Sequence, residues 1–200
     1  MKVIVLAFLA SLPMCASSKQ MNPFSAESSI YKVIVTGKKK TSEGAGVLIA
    51  RNKILTNCHI LKSVSGWPEV KNWKTDRRYR VTKYVTLGNL DACVLIGGFE
   101  GRPLKFTTEH QPQQNVWNYG YPQNIPSIGQ GVILGMVNDN HMGPVIKSSL
   151  FCWPGTSGGP LLDVRANIIG LNYGYMNNDR NKCISIPAES MLPFLKTIKY

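Results

Sequence analysis

The sequence predicts an all-β protein, either a sandwich or a barrel. Short runs rich in Val, Ile, Leu and Tyr alternate with turns rich in Gly, Pro and Asn, at residues 29–36, 46–50, 53–57, 79–86 and 92–96. The chain has 200 residues, and 44% of them are hydrophobic, which is enough to bury a sizeable core and makes disorder a poor interpretation. This length suits one globular domain or two small barrels that pack tightly together.

The first twenty residues differ from the rest of the chain. Lys2 precedes an apolar run over residues 3–12, and the small residues Ala16 and Ser18 follow it. This pattern is typical of a secretory signal peptide, and the run is too short to span a membrane. We therefore expect a signal peptide over residues 1–18 and a secreted or periplasmic protein. A lipid anchor at Cys15 is the weaker alternative, because Met14 stands where a small residue normally precedes a lipidated cysteine.

A polar linker at residues 107–114 divides the remaining chain into two strand-rich halves. We place a first barrel at about residues 28–106 and a second at about residues 115–200, both within one domain over residues 19–200. Apolar residues at helical spacing over 187–196 predict a short C-terminal helix, although Pro193 limits its length. The sequence contains no second long apolar stretch, so we expect no membrane-spanning segment.

The glycine-rich turn at residues 154–160 (Pro-Gly-Thr-Ser-Gly-Gly-Pro) contains a candidate nucleophile, Ser157. A serine hydroxyl attacks a carbonyl only if a base takes its proton and nearby donors stabilise the oxyanion. Glycines without a Cβ atom allow the backbone to point its N–H groups at that oxygen. The alternative is an ordinary surface turn, since these are also common turn residues.

A base and an acid that could serve this serine lie upstream. Two strands joined by a polar turn at residues 51–53 place His59 at the end of the second strand, where it is the candidate base. Asp91 stands at the mouth of an otherwise apolar strand, where an ionised carboxylate is costly without a hydrogen-bond donor. The Nδ1–H of an imidazole is such a donor, and the carboxylate would fix its tautomer.

Other histidines and aspartates are weaker candidates. His110 and His141 lie in polar surroundings without an apolar strand to position them, so we expect both to be solvated. Asp76 belongs to a charged run and Asp163 to a polar turn, and we expect both at the surface.

Several segments in the same order resemble the trypsin-like serine proteases, and within them the bacterial HtrA type. The matching segments are 44–47 (Gly-Ala-Gly-Val), 54–59 (Ile-Leu-Thr-Asn-Cys-His), 91–95 (Asp-Ala-Cys-Val-Leu), 119–122 (Tyr-Gly-Tyr-Pro), 146–162, 168–172 (Ile-Ile-Gly-Leu-Asn) and 184–187 (Ile-Ser-Ile-Pro). The resemblance covers about residues 28–198 and shares the chain order His, Asp, Ser. It departs from the family at Ala45, where the family has Ser, and at Cys58, where it has Ala.

The resemblance implies two packed six-stranded antiparallel β-barrels of the chymotrypsin type with a short C-terminal helix. It implies a serine endopeptidase that works through an acyl-enzyme, with His59, Asp91 and Ser157 as the catalytic triad. The backbone N–H groups of Gly155 and Ser157 would form the oxyanion hole. We expect no peptide-binding PDZ module after the protease domain, unlike in the multidomain HtrA proteins.

Further family positions bear on activation and specificity. Thr156 stands where trypsin-like zymogens carry the Asp that captures a new N-terminus, so that switch cannot operate. Phe151 stands where trypsin has its specificity Asp, which implies a preference for small or medium apolar P1 residues. Asn172, Tyr173 and Gly174 would supply the strand edge on which a substrate backbone adds by β-pairing.

Four cysteines follow the leader, and an even number in an exported chain suggests disulfides. Cys152 and Cys183 resemble, in approximate spacing, the bridge that braces the specificity pocket in many trypsin-like enzymes, so that pairing is favoured. Cys58 and Cys93 could form a second bridge or remain buried thiols, and packing is the safer interpretation. None of them has zinc-ligand spacing, so we expect no metal and no other cofactor.

The formal net charge is +12, and much of it comes from residues 38–40 and 71–80. A basic surface can attract anionic partners such as lipid head groups or cell-wall polymers, although a solvated surface that aids solubility is the more ordinary explanation. Export makes a specific nucleic-acid partner improbable. Two functions from different classes therefore remain: a secreted serine endopeptidase acting on proteins or peptides, and a catalytically silent protease-like protein that binds anionic surfaces or partner proteins.

Overall fold

The computed structural model describes residues 22–176 and 179–198, and these form two β units. The predicted signal peptide, the cleavage point near Lys19 and the alternative anchor at Cys15 lie outside the described residues.

The first unit is a seven-stranded antiparallel sheet in the order β5-β4-β1-β2-β3-β7-β6. Its elements are β1 Ile30–Thr36, β2 Thr41–Ala50, β3 Lys53–Thr56, α1 Cys58–Lys62, β4 Pro68–Asn72, β5 Arg78–Arg80, β6 Lys83–Thr86 and β7 Cys93–Ile96. The two edge strands, β5 and β6, are separated along the chain only by Val81 and Thr82. Because two residues span only about 7 Å, the sheet has to curl until its two edges lie close together.

The second unit is a closed six-stranded barrel in the order β10-β13-β12-β11-β8-β9. Its strands are β8 Asn115–Gly120, β9 Ser127–Asp139, β10 Gly143–Ser148, β11 Pro160–Leu162, β12 Ile168–Met176 and β13 Asp179–Pro187. Helix α2, Ala188–Leu195, follows β13 directly and contacts both β12 and β13. The predicted C-terminal helix is therefore confirmed, with Pro193 in its last turn.

The predicted all-β fold of two packed barrels is confirmed, with one difference in the first unit. That unit is a curled open sheet because the segment predicted as one strand over 79–86 divides at Val81 and Thr82. The buried Val81 turns inward, and the Thr82 N–H donates to the Ile96 carbonyl at 2.8 Å, which moves the chain from the edge beside β4 to the edge beside β7. Strand β4 also forms, although its sequence Pro-Glu-Val-Lys-Asn gave no apolar signal.

A common apolar core joins the two units. Leu55 and Val47 of the first sheet belong to the same buried cluster as Tyr119 and Leu171 of the barrel. All four side chains are fully buried. The two units are consequently packed against each other through one shared apolar cluster.

Two predictions about polar residues were wrong. Asp163 is buried, because its carboxylate accepts hydrogen bonds from the backbone of Arg165 and from Asn167, closing the turn before β12. His110 is largely buried, and its Nε2 lies 3.2 Å from Glu189 on α2. The contacts of Asp163 are local to its turn, whereas the contact of His110 depends on the fold, because Glu189 is distant in the sequence.

Candidate active site

The imidazole of His59 and the carboxylate of Asp91 form a hydrogen-bonded pair. His59 Nδ1 lies 2.5 Å from Asp91 Oδ2, and the His59 backbone N–H donates to the other carboxylate oxygen at 2.7 Å. The Asp91 side chain is only 13% exposed, whereas that of His59 is 44% exposed. Both carboxylate oxygens of Asp91 are therefore hydrogen-bonded to His59, and the Nε2 side of the imidazole stays accessible.

Local structure places both residues, but not as the sequence predicted. Strand β3 ends at Thr56, and His59 lies in the first turn of α1 rather than at a strand end. Asn57 precedes that helix, is fully buried, and donates from Nδ2 to the Asp91 carbonyl at 2.7 Å. Sequence reasoning did not identify Asn57 as a site residue, although it lies in the segment that carries the family resemblance.

A disulfide joins Cys58 to Cys93. Cys58 immediately precedes His59, and Cys93 begins β7 two residues after Asp91. Buried thiols were the safer interpretation for this pair, and that interpretation was wrong. The bridge covalently connects the short helix that carries the histidine to the strand that follows the aspartate.

Ser157 follows a tight turn formed by residues 153–156. The Thr156 N–H donates to the Trp153 carbonyl at 3.0 Å, and Gly155 has φ +100°. Proline at the second position and a positive φ at the third are the features of a type II turn. A Cβ atom at Gly155 would lie 2.2 Å from the Tyr121 carbonyl oxygen, so this position requires glycine.

Two amides of the loop around Ser157 form no hydrogen bond within the described residues. In residues 155–159, the N–H groups of Thr156, Gly158 and Gly159 donate to backbone carbonyls. Those of Gly155 and Ser157 donate to no acceptor in the part of the chain that the structure describes. These are the two donors that the family resemblance predicted.

The backbone of Ser157 is fastened to the first sheet. Its carbonyl accepts a hydrogen bond of 2.8 Å from the Ala45 N–H on β2. The next residue, Gly158, has φ +80°, and a Cβ atom there would lie 2.2 Å from the Ala45 carbonyl oxygen. The serine hydroxyl itself forms no hydrogen bond within residues 22–176 and 179–198. Contacts between catalytic groups are often looser before a substrate is bound.

His59 and Ser157 line the same cavity, which has a volume of about 290 Å³. Its other lining residues are Glu43, residues 152–156 and residues 173–175. Phe151 is not among them: its side chain is 46% exposed, and its ring packs against Trp153 with centroids 5.3 Å apart. A neighbouring cavity of about 360 Å³ shares Glu43 and residues 153–155 and extends to Tyr121, Gln123 and Asn124.

The strand edge predicted to bind substrate borders this cavity. Both backbone polar groups of Asn172 are hydrogen-bonded to the nucleophile loop, to Gly158 and Gly159. A register shift in the pairing of β12 with β13 leaves Tyr173 as an extra residue, and its ring lies 6.4 Å from the His59 ring. Strand β11 pairs with β12 only as far as Leu171, so the edge at Gly174 faces the cavity without a neighbouring strand.

Cys152 and Cys183 form the second disulfide, as the resemblance predicted. The Cys152 N–H also donates to the Arg180 carbonyl at 2.7 Å, so β13 is tied twice to the wall of the cavity.

Within residues 22–176 and 179–198, no group of three or more His, Cys, Asp or Glu side chains could hold a metal ion. None of the helices described there is long and apolar enough to cross a membrane.

The chain is similar to known proteases. The chain is similar to a glutamyl endopeptidase of Staphylococcus epidermidis, with 26% identity over an alignment of 170 positions that covers 72% of the chain. It spans 58% of the length of that relative.

Similar solved structures show the same fold. A protease from M. tuberculosis in its active form gives a TM-score of 0.78 at 21% identity, covering 98% of this chain and 94% of that one. An HtrA-type protease with a bound tripeptide gives 0.76 at 18% identity, covering 86% of this chain and 60% of that one. A serine endoprotease from Yersinia pestis gives 0.72 at 19% identity, with coverage of 86% and 64%.

Residues 44–171, which are more than half of the chain and include His59, Asp91 and Ser157, match the family of trypsin-like peptidase domains. The chain therefore belongs to the family of trypsin-like peptidases.

Proposed function

We propose that this protein is a serine endopeptidase in which His59, Asp91 and Ser157 form the catalytic triad. The observation that carries the proposal is the shared cavity: it contains an imidazole held by a buried carboxylate, a serine hydroxyl without a hydrogen bond, and two free amides beside that serine.

The chemistry follows from these positions. Ser157 Oγ attacks the scissile carbonyl while His59 Nε2 takes its proton, and the oxyanion accepts hydrogen bonds from the Gly155 and Ser157 amides. The imidazolium then protonates the leaving amine, the C–N bond breaks, and an acyl-enzyme remains. Water, deprotonated by His59, attacks the ester to give a second tetrahedral intermediate. The bond from the acyl carbon to Ser157 Oγ then breaks, the imidazolium returns its proton to Oγ, and the carboxylic acid product leaves. Asp91 stabilises the imidazolium in both steps.

The substrate backbone on the acyl side is proposed to pair with the free edge of β12 at Gly174, with Tyr173 beside His59. A preference for small or medium apolar P1 residues remains a proposal. It rests on the identity of Phe151, which lies outside the residues that line the cavity. Export of the protein is proposed from two disulfides, which form and persist mainly in oxidising compartments.

A fluorophosphonate probe tests the triad directly, because it forms a stable adduct only with an activated serine. We expect the wild-type protein and the control Ser65→Ala, whose serine is exposed and distant in sequence, to be labelled. Ser157→Ala should not be labelled. If correctly folded wild-type protein does not react, the protein is a catalytically silent binding protein and the proposal is wrong.

A further inference from the structure

An arginine stacked against two aromatic rings lies at the edge of the candidate active-site cavity. The guanidinium carbon of Arg180, on β13, lies 4.6 Å from the ring centroid of Trp153 and 5.9 Å from that of Tyr175. Both rings line the cavity that contains His59 and Ser157. Arg180 is exposed and does not itself line the cavity, but it contacts two of the rings that do, which places it at the rim.

Stacking on the rings positions the guanidinium of Arg180 without occupying its hydrogen-bond donors. A guanidinium attracted to the face of an aromatic ring keeps its five N–H groups available at its edge. Two rings also restrict a long side chain that would otherwise lose entropy when it binds a ligand. The backbone is fixed as well, since the Arg180 carbonyl accepts from Cys152 on the cavity wall.

No carboxylate within residues 22–176 and 179–198 forms an ion pair with Arg180. The adjacent Asp179 binds Lys182 instead, with a separation of 2.7 Å. Glu43 lines the cavity, but its carboxylate is paired with Lys32 at 2.9 Å. Arg180 therefore contributes a positive charge to the rim of the cleft that no acid of the described chain neutralises.

We propose that Arg180 is a specificity-determining residue, which binds an acidic side chain of the substrate at position P2 or P3. This inference rests on the proposed function, because it assigns a substrate class to the same cleft. The planar guanidinium matches a carboxylate in a bidentate geometry, which an amide side chain of the same shape cannot accept with equal strength. The net charge of +12 also favours the approach of acidic substrates.

The position of the acidic residue in the substrate follows from the two cavity-lining rings that Arg180 contacts. Trp153 precedes the nucleophile turn, and Tyr175 follows Gly174 on the open edge of β12. A substrate chain that pairs with this edge places the residues before the scissile bond along it. An acidic side chain in that stretch meets the rim where the guanidinium lies.

Peptide pairs that share one apolar P1 residue and differ only by Glu or Gln at P2 or P3 test the proposal with the full chain. We expect kcat/KM to be about tenfold higher for Glu at one of these positions. Arg180→Gln should abolish this preference, and Arg180→Lys should retain part of it. Arg51→Gln removes the same charge from the exposed turn between β2 and β3 and should leave the preference unchanged. Equal rates for every pair, or a preference that survives Arg180→Gln, would overturn the proposal.

A binding measurement separates this inference from the proposed chemistry. Fluorescence anisotropy of the same labelled peptides with Ser157→Ala reports recognition without turnover. We expect the Glu peptide to bind about tenfold more tightly than the Gln peptide, with the difference lost in the double variant Ser157→Ala, Arg180→Gln. This result, combined with no fluorophosphonate labelling of the wild type, would support recognition and contradict the peptidase. Equal affinities would contradict recognition even if the enzyme is active.

Discussion

At the residue scale, each candidate catalytic residue is positioned by contacts that involve the backbone of a nearby residue. Asp91 is held by the backbone and side chain of His59, and Asn57 fixes the carbonyl of Asp91. Gly155 can adopt φ +100° and approach Tyr121 because it has no Cβ atom. The side chains that the chemistry needs are ordinary, and the contacts around them give them defined positions.

Replacing Gly155 by alanine tests the oxyanion turn. The new Cβ atom would lie 2.2 Å from the Tyr121 carbonyl oxygen, at a φ that alanine rarely adopts. We expect the turn to distort and kcat to fall by about 100-fold or more, because one oxyanion donor is lost. Peptide hydrolysis measures the effect.

The matched control for this substitution is Gly98→Ala, since nothing lies within 4 Å of a Cβ atom there and its φ is not positive. We expect the control to keep wild-type activity. Full activity in Gly155→Ala would mean that this turn does not form the oxyanion hole.

At the element scale, two disulfides brace the walls of the candidate active-site cleft. Cys58–Cys93 connects α1 to β7, and Cys152–Cys183 connects the nucleophile loop to β13. The paired cysteines are separated by 35 and 31 residues along the chain. Cross-links of this span restrict the unfolded chain considerably.

Removal of Cys58–Cys93 by the double variant Cys58→Ala, Cys93→Ala should lower the free energy of unfolding. A closed loop of this length contributes about 4 kcal/mol in the chain-entropy model. Urea denaturation of the variant and of the wild type, without reductant, measures the difference.

Activity at a temperature where the variant remains folded separates two roles of this bridge. If the disulfide also fixes the His59–Asp91 pair, kcat should fall more than KM rises. A variant as stable as the wild type would show that the bridge does not stabilise the fold.

The whole molecule contains buried tyrosines that couple its stability to alkaline pH. Burial raises the pKa of Tyr31 to about 12 and the pKa of Tyr119 to about 12. Their hydroxyl groups donate to the Glu100 and Pro23 carbonyls, the latter at 2.5 Å. Between pH 10 and 12 the unfolded chain therefore loses protons that the folded protein retains.

We expect the free energy of unfolding to fall as the pH rises above about 10, by about 1.4 kcal/mol per pH unit for each of these tyrosines. Stability falls because the unfolded state binds fewer protons in this range. Urea unfolding at pH 8 and pH 11 measures the decrease for the wild type and for Tyr31→Phe, which should lose less. Tyr84→Phe, a half-exposed control, should lose as much as the wild type. An equal decrease in Tyr31→Phe would contradict this assignment.

Ion pairs with nearby acidic residues account for part of the basic surface. Lys71 pairs with Asp76, Arg77 with Glu100, and Arg78 with Glu69. These exposed pairs contribute little to stability, but they neutralise much of the cluster at residues 71–80. The lysines at 38–40 remain exposed.

The sequence by itself determined the all-β class, the two-unit division, the C-terminal helix and the segments that carry the family resemblance. These features are local, because strand and turn composition, helical spacing and short motifs depend on neighbouring residues. The tertiary structure decided the curl of the first sheet, the short helix that pairs His59 with Asp91, the Cys58–Cys93 disulfide, the contact of His110 with Glu189 and the stacking of Arg180 on Trp153. Each of these depends on partners far apart in the chain, whose proximity is set by sheet order and shared burial.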